Sequence, residues 1–249
     1  MLNRPLEWQI ATIAAIQAET ARTKTSTLSL PAWVRHLPGQ HYDLRLTAED
    51  GYQAQRSYSI ASEPEREGEI DLTVESLPEG EVSGYLHDVL VPGDRVEVRG
   101  PVGGYFVWEA ARGGPLLLVA GGSGVVPLMS MLRHRRAVGS SVPARLLYSS
   151  RNPEDVIYAD ELRSLHEGGD GLEIIHTFTR SWPAAWTGYA RRIDAAMLKE
   201  ISAPLGGKLQ AFICGPTLLV EAAADGLVAT GLAPGRIKTE RFGPSGGSA

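Results

Sequence analysis

The stretch "PLLLVAGGSGVVPLMSML", Pro115 to Leu132, constrains this chain more than any other. Its apolar opening suits a buried strand, its glycines a tight turn, and "PLMSML" the start of a helix. Strand, glycine turn and helix together form the usual cradle for a dinucleotide, because helix N–H groups and the helix dipole face an anionic pyrophosphate. The spacing departs from the common fingerprint. That pattern places glycine or alanine at its sixth position, where this chain has Pro127. Read alone, the stretch leaves open which kind of nucleotide site it is.

The rhythm of the chain differs on the two sides of this region. Up to Trp108, short alternating segments dominate. "WQIATIAAI" (8–16), "TSTLSL" (25–30), "HYDLRLT" (41–47), "QAQRSYSIAS" (53–62), "EIDLTVESL" (69–77) and "DRVEVRG" (94–100) are expected as strands. Breakers such as "LPGQ", "AEDG" and "VPGD" separate them. Strands of this length and spacing predict a six-stranded antiparallel Greek-key β-barrel. One helical piece, "SGYLHDVL" (83–90), intrudes, with Ser83 placed as its N-cap. After "EAARGG" (109–114) strands and helices alternate, which predicts an α/β doubly wound five-stranded parallel sheet. The division expected is a domain of residues 1–110 and another of 111–249. "GPSGGSA" at the end is expected as a loose tail.

Bulk properties exclude several classes. The chain has 249 residues and a formal net charge of −5, which does not advertise nucleic-acid binding. The basic cluster "RHRR" (Arg133 to Arg136) is expected as a solvated helix end, with a docking patch as the sharper alternative. One cysteine, Cys214, can neither form an internal disulfide nor ligate an iron–sulfur cluster. Six scattered histidines show no ligand spacing, so no metal site is expected. The N-terminus lacks the order of a secretion signal, and no apolar run approaches the ~20 residues that span a bilayer. A soluble, cytoplasmic protein is expected, with no membrane partner.

Two further stretches carry chemistry. "RSYSIAS" (56–62) alternates as a strand, with Arg56, Tyr58 and Ile60 on one side and Ser57, Ser59 and Ala61 on the other. Arg56 offers a fork of donors suited to phosphate, Tyr58 a flat apolar face, and the serines adaptable hydroxyls. "FICGPTLLVEAA" (212–223) places Cys214 at the carboxyl end of a strand, where open parallel sheets bind ligands. Taken singly, Tyr58 is more often a packing residue than a ligand contact, and a free cysteine such as Cys214 is usually buried and inert.

Their joint order is more specific. "RxYS" in a barrel, "GGSGVVP" opening a parallel sheet, "CGP" on a late strand and "ERF" near the end resemble the ferredoxin–NADP reductase superfamily. The resemblance runs from about Glu7 to Phe242 and is greatest to bacterial reductase components that serve oxygenases. It implies that Arg56 contacts the flavin phosphate, Tyr58 stacks on the isoalloxazine, and Ser59 hydrogen-bonds near its hydride-accepting nitrogen, with Ser57 beside them. The family's next flavin element corresponds to "GEVS", Gly80 to Ser83, which includes Val82. A pyrophosphate at this helix start implies FAD, with FMN the less favoured flavin. Gly121, Gly122, Ser123, Gly124 and Pro127 are implied to cradle the nicotinamide nucleotide. Proline at that place suits a first helical turn, where its missing N–H costs nothing. Cys214, Gly215 and Pro216 are implied to lie by the nicotinamide, with Glu240 near the flavin and Phe242 covering the flavin's other face.

The second strand of the parallel sheet ends in "YSSR", which puts Arg151 where an NAD site would carry an acid. Thr179 and Arg180 end the third strand and resemble hydroxyl-plus-arginine pairs that bind a 2′-phosphate. NADPH is therefore expected over NADH, with an ordinary surface ion pair to Glu154 or Asp155 as the bland reading of these arginines. The activity implied is hydride transfer from NAD(P)H to FAD, then single-electron delivery to a separate acceptor protein: a ferredoxin, a haem monooxygenase or an oxygenase component. Ser59, Cys214 and Glu240 are the implied catalytic positions. A stand-alone flavin or quinone reductase and a non-catalytic flavin- or nucleotide-sensing module are the alternatives.

Overall fold

The structure, a computed structural model, describes residues 6–242. The tail expected to be loose lies outside the described residues. The chain forms two compact units, one of residues up to Glu109 with Met129–Val138, the other of Ala110–Leu128 with residues from Gly139 on.

The first unit is built on six antiparallel strands: β1 (Gln9–Thr20), β2 (Thr23–Ser29), β3 (His41–Thr47), β4 (Gln53–Ser59), β5 (Glu69–Glu75) and β6 (Arg95–Val102). Their order is β4-β3-β6-β1-β2-β5. A bridge from Ile60 to Leu72 carries the end of β4 onto β5, so the two ends of the sheet meet. Inward side chains such as Ile13, Leu28, Leu44, Ile70 and Val98 fill the interior, as the period of two dictates. The β1–β2 hairpin reaches farther than expected, because Ala21 and Arg22 make its turn without glycine or proline.

Helix α1 (Glu81–Asp88) starts two residues earlier than expected. Gly80 takes the N-cap position, and Ser83 lies inside the first turn rather than capping it. The Ser83 hydroxyl instead donates to the Gly80 carbonyl and accepts from the Leu77 N–H, both at 3.3 Å. A side chain at Gly80 would occupy that hydroxyl's place, its Cβ falling 2.2 Å from Ser83 Oγ.

The second unit alternates β7 (Leu116–Gly121), α2 (Val125–Ala137), β8 (Ala144–Ser150), α3 (Ala159–Glu167), β9 (Leu172–Phe178), α4 (Ala195–Ser202), β10 (Gln210–Pro216), α5 (Thr217–Ala229) and β11 (Ile237–Phe242). All the strand pairs are parallel, in the order β11-β10-β7-β8-β9. Every residue of β7, the central strand, is buried, which is why it reads as a continuous apolar run. Leu117, Val119, Ala211 and Ile213 pack against Met197, Leu198, Val220 and Leu227 of α4 and α5. Asp194 caps α4 by accepting from the Met197 N–H at 2.8 Å. The connections leave β7 in opposite directions, toward β8 and, later, β10. That reversal opens a crevice at the carboxyl ends of β7 and β10.

Helix α2 begins in the second unit, and its last two turns belong to the first. This corrects the expectation for "RHRR". His134 and Arg135 are 4% and 1% exposed, Arg133 is half-buried, and only Arg136 is open to solvent. The cluster packs into the first unit rather than ending in water. Among the described residues no helix is long and apolar enough to cross a membrane.

Candidate functional site

In the first unit the flavin-type residues line β4 and the start of α1. Arg56 is exposed, and among the described residues its guanidinium donates only to the Gln55 carbonyl, at 2.7 Å. The Ser57 hydroxyl donates to Asp43 across the β3–β4 pair at 2.7 Å, and Asp43 in turn binds Arg99 at 2.7 Å. Burial raises the Asp43 carboxyl, but the Ser57 hydroxyl and the Arg99 guanidinium outweigh it and hold the group below the usual aspartate value. Ser57 is thus committed to a protein partner. Tyr58 packs half-buried against the barrel interior, and burial pushes its phenol up to about 12, so it stays neutral. Ser59 is buried and its hydroxyl has no hydrogen-bond partner among the described residues. The expected alternation stops there: from Ser59 to Ser62 every residue is buried. Gly80, Val82 and Ser83 stand at the start of α1, with Val82 and Ser83 buried.

In the second unit the nucleotide-type residues converge on the β7–β10 crevice. Gly122, Ser123 and Gly124 form a single 3-10 turn between β7 and α2, and Gly122 adopts a φ of +53°. Gly124 lies against the backbone of β10. A Cβ there would fall 2.0 Å from the Cys214 carbonyl oxygen and 2.4 Å from its carbon. At Gly121 it would fall 2.6 Å from the Leu219 Cδ1 and 3.0 Å from Pro216. The glycines thus let the turn rest directly on Cys214–Pro216, keeping backbone N–H groups at the crevice instead of side chains. Pro127 is buried in the first turn of α2.

Parallel register sets Cys214 between Ala120 of β7 and Glu240 of β11, and Pro216 beside Phe242. Cys214 is fully buried, and burial together with the Glu240 charge raises its thiol well above the usual value. Both effects favour the protonated thiol and argue against a nucleophilic role. Burial also pushes the Glu240 carboxyl up to about 7. Its Oε2 is buried and has no hydrogen-bond partner among the described residues.

The ends of β8 and β9 are stitched together by backbone. The Arg180 N–H donates to the Arg151 carbonyl at 2.9 Å, and Thr179 donates to the Ser150 carbonyl from its N–H at 3.1 Å and its hydroxyl at 3.3 Å. Arg151 and Arg180 are exposed, and neither guanidinium has an ion-pair partner among the described residues. Beside them Ser150 Oγ is buried, with no hydrogen-bond partner among the described residues.

Two family patterns match this chain: the oxidoreductase FAD-binding domain over residues 8–107 and the oxidoreductase NAD-binding domain over residues 118–225. The chain is an oxidoreductase with FAD-binding and NAD-binding domains on a ferredoxin–NADP reductase-like fold. The FAD-binding match covers the barrel strands β1 to β6, and the NAD-binding match runs from within β7 into α5. The glycine betaine monooxygenase reductase subunit of Pseudomonas aeruginosa is 34% identical, over 84% of this chain and 56% of its own length. The reductase component of propane 2-monooxygenase from Rhodococcus jostii is 28% identical, over 85% of this chain and 57% of its own. The chain thus spans little more than half of these curated relatives. The ferredoxin NADP+ reductase of Neisseria gonorrhoeae, solved with FAD and NADP, shares the fold with a TM-score of 0.81 at 22% identity, covering 94% of this chain and 98% of the other.

The described residues fit both an FAD and a nicotinamide nucleotide. Ser59 offers an unengaged hydroxyl and Tyr58 a ring on the flavin strand. The glycine turn leaves the room a nucleotide backbone needs, and Glu240 keeps an unpaired buried oxygen at the same edge. Sequence reasoning missed one buried polar group of the first unit. Ser130 and His134 lie buried on α2 and bind the segment that follows β4. Their spacing of four along a helix was the available signal.

Proposed function

We propose that this chain accepts hydride from NADPH onto FAD and delivers electrons singly to a separate acceptor protein. The observation that carries the reading is the β7–β10–β11 edge, where a side-chain-free glycine turn, a neutral buried thiol and an unpaired buried carboxyl adjoin. The bound cofactors supply the redox chemistry; the protein supplies geometry and electrostatics. The flavin half is assigned to residues 1–110 and the nucleotide half to 111–249. Arg56 and the α1 start, Gly80 to Ser83, hold flavin phosphates, and Tyr58 and Ser59 face the ring. Ser57, bound to Asp43, supports the strand. Cys214 sets the nicotinamide's position by shape, since its thiol stays protonated. Gly215 and Pro216 form the floor beside it, and Phe242 adjoins Pro216. Glu240 holds or releases a proton at Oε2 close to neutral pH.

NADPH is favoured over NADH because Arg151 and Arg180 stand unpaired at adjacent strand ends, with Thr179 between Ser150 and Arg180. Two free guanidinium forks and a hydroxyl suit a 2′-phosphate. The relatives named as monooxygenase reductase components support an oxygenase component as the acceptor. The deciding experiment mixes the flavin-loaded protein with NADPH, or with NADH, in a stopped-flow cell without oxygen. Bleaching of the flavin absorbance, faster with NADPH, is expected. A colourless protein that takes up no flavin, or a flavin that neither nucleotide bleaches, overturns the reading.

A further inference from the structure

The first unit holds a cavity of about 410 Å³ between the β3–β4 hairpin, the start of β6 and helix α1. That size lies within the range of about 300–1,000 Å³ usual for small-molecule sites. Leu46, Ala54 and Val96 supply its apolar surface, which is continuous with the barrel core. Two aromatic residues line it from outside the barrel strands, Tyr52 of the hairpin turn and Tyr85 of α1, 57% and 38% exposed. Tyr52 is nonetheless held in place. Its N–H donates to the Asp50 carboxylate at 3.0 Å, its carbonyl accepts from the Ala48 N–H at 2.9 Å, and its hydroxyl donates to the Glu81 carboxylate at 3.2 Å.

The charged groups around the cavity divide into engaged and free. Arg45 donates to Glu97 from Nε at 3.0 Å and from Nη2 at 2.8 Å, and the Thr47 hydroxyl adds a third bond to Glu97 at 3.1 Å. Arg95 is exposed, and its guanidinium has no partner among the described residues. Among the same residues the Glu81 side chain accepts from Tyr52 alone, so most of a carboxylate's acceptor capacity stays open. Two aromatic rings, one free acceptor and one free donor fork suit a purine. Its flat face stacks on aromatic side chains, its amine donates and its ring nitrogens accept.

The direction of β4 says which purine. The strand runs from Gln53 to Ser59. Tyr58 and Ser59 at its end are the proposed ring contacts, and Arg56 is a proposed phosphate contact. A flavin laid this way points toward the start of the strand. Tyr52 lies four residues before Arg56, about 13 Å at roughly 3.3 Å per residue. On the helix side, Glu81 is the first residue of α1, whose start is the other proposed phosphate contact. Both routes from the phosphates lead to the same cavity.

We infer that this cavity receives the adenosine half of FAD and that Tyr52 and Tyr85 set the preference for FAD over FMN. The inference rests on the proposed function. Tyr52 and Tyr85 stack on the adenine, Glu81 accepts from its amine, and Arg95 donates to a ring nitrogen. FMN has no adenosine, so it gains nothing from these four residues.

The test strips the full chain of flavin and titrates it with FAD and with FMN by isothermal calorimetry, followed by amide hydrogen exchange with each flavin bound. Parent protein is compared with Tyr52→Ala, Tyr52→Phe, Tyr85→Ala and the exposed control Val34→Ala. Tyr52→Ala and Tyr85→Ala should each weaken FAD about tenfold, the usual worth of one aromatic side chain stacked on a base, and leave FMN as in the parent. Tyr52→Phe, which keeps the ring, and Val34→Ala should retain the parent's preference. FAD should slow exchange over residues 48–54, and FMN should not.

Equal affinity of the parent for FAD and FMN, equal loss of both flavins in the tyrosine variants, or a 48–54 segment that FAD leaves unprotected each overturns the inference. Should Tyr85→Ala not fold, Tyr52→Ala, which changes an exposed turn, decides by the same criteria. If the parent takes up neither flavin, the proposed function fails and this inference with it. If FAD binds and NADPH bleaches it while the variants treat both flavins alike, only this inference fails.

Discussion

Glu240 holds a carboxyl whose value burial raises from 4.5 to about 7. The folded state therefore prefers it protonated. Its burden on stability is absent below the unfolded value, grows as pH rises toward 7, and is complete above that, on the order of 3 kcal/mol. Glu240→Gln should match the parent in thermal melts at about pH 5 and exceed it at about pH 8. An equal difference at both pH values would sink this account. Arg180 stands exposed without an ion partner beside Thr179, so Arg180→Ala should raise the KM for NADPH about tenfold, the worth of one charged hydrogen bond, and spare NADH. Steady-state kinetics with both donors checks this, and equal loss for both argues against phosphate recognition. Cys214 is buried and neutral. It should resist iodoacetamide in the folded protein, while Cys214→Ala should slow flavin reduction with little loss of fold.

At the scale of elements, the glycine turn shows why proline at the sixth position is no defect. Pro127 lies in the first turn of α2, where no N–H is missed, and the close approach that matters is made by Gly124 on Cys214. Gly124→Ala should destabilise the protein by about 3 kcal/mol or more, because its Cβ meets backbone that cannot yield as a side chain can. Urea unfolding measures this, with Gly122→Asn as comparison. Gly122 has open space and a left-handed φ that asparagine tolerates, so its replacement should cost about 1 kcal/mol or less. α1 teaches the complementary lesson. Ser83 looks like a cap in the sequence, yet Gly80 starts the helix and Ser83 turns back to bind Leu77 and Gly80. A serine three places into a helix can bond back to the loop before it instead of capping the first turn, and only the backbone path decides between the two.

For the whole molecule, these 249 residues hold one cysteine and so no cluster-ligating set. The flavin-loaded chain should reduce ferricyanide with NADPH directly, and cytochrome c reduction should rise when an iron–sulfur ferredoxin is added. Unchanged cytochrome c turnover would favour a stand-alone flavin or quinone reductase. What the sequence determined by itself is local and periodic: the barrel strands by alternation, the parallel sheet by its apolar runs, and the nucleotide turn by its glycines. These signals lie within a dozen neighbouring residues. What only the tertiary structure decided is long-range. "RHRR" reads as a solvated helix end, yet His134 and Arg135 are buried, because a segment some 70 residues earlier supplies their surroundings. Cys214 and Glu240 become neighbours through strand register, and their shared burial sets both protonation states. Charge in a protein depends on what is packed against a group, and packing partners are chosen by the fold rather than by adjacency in the chain.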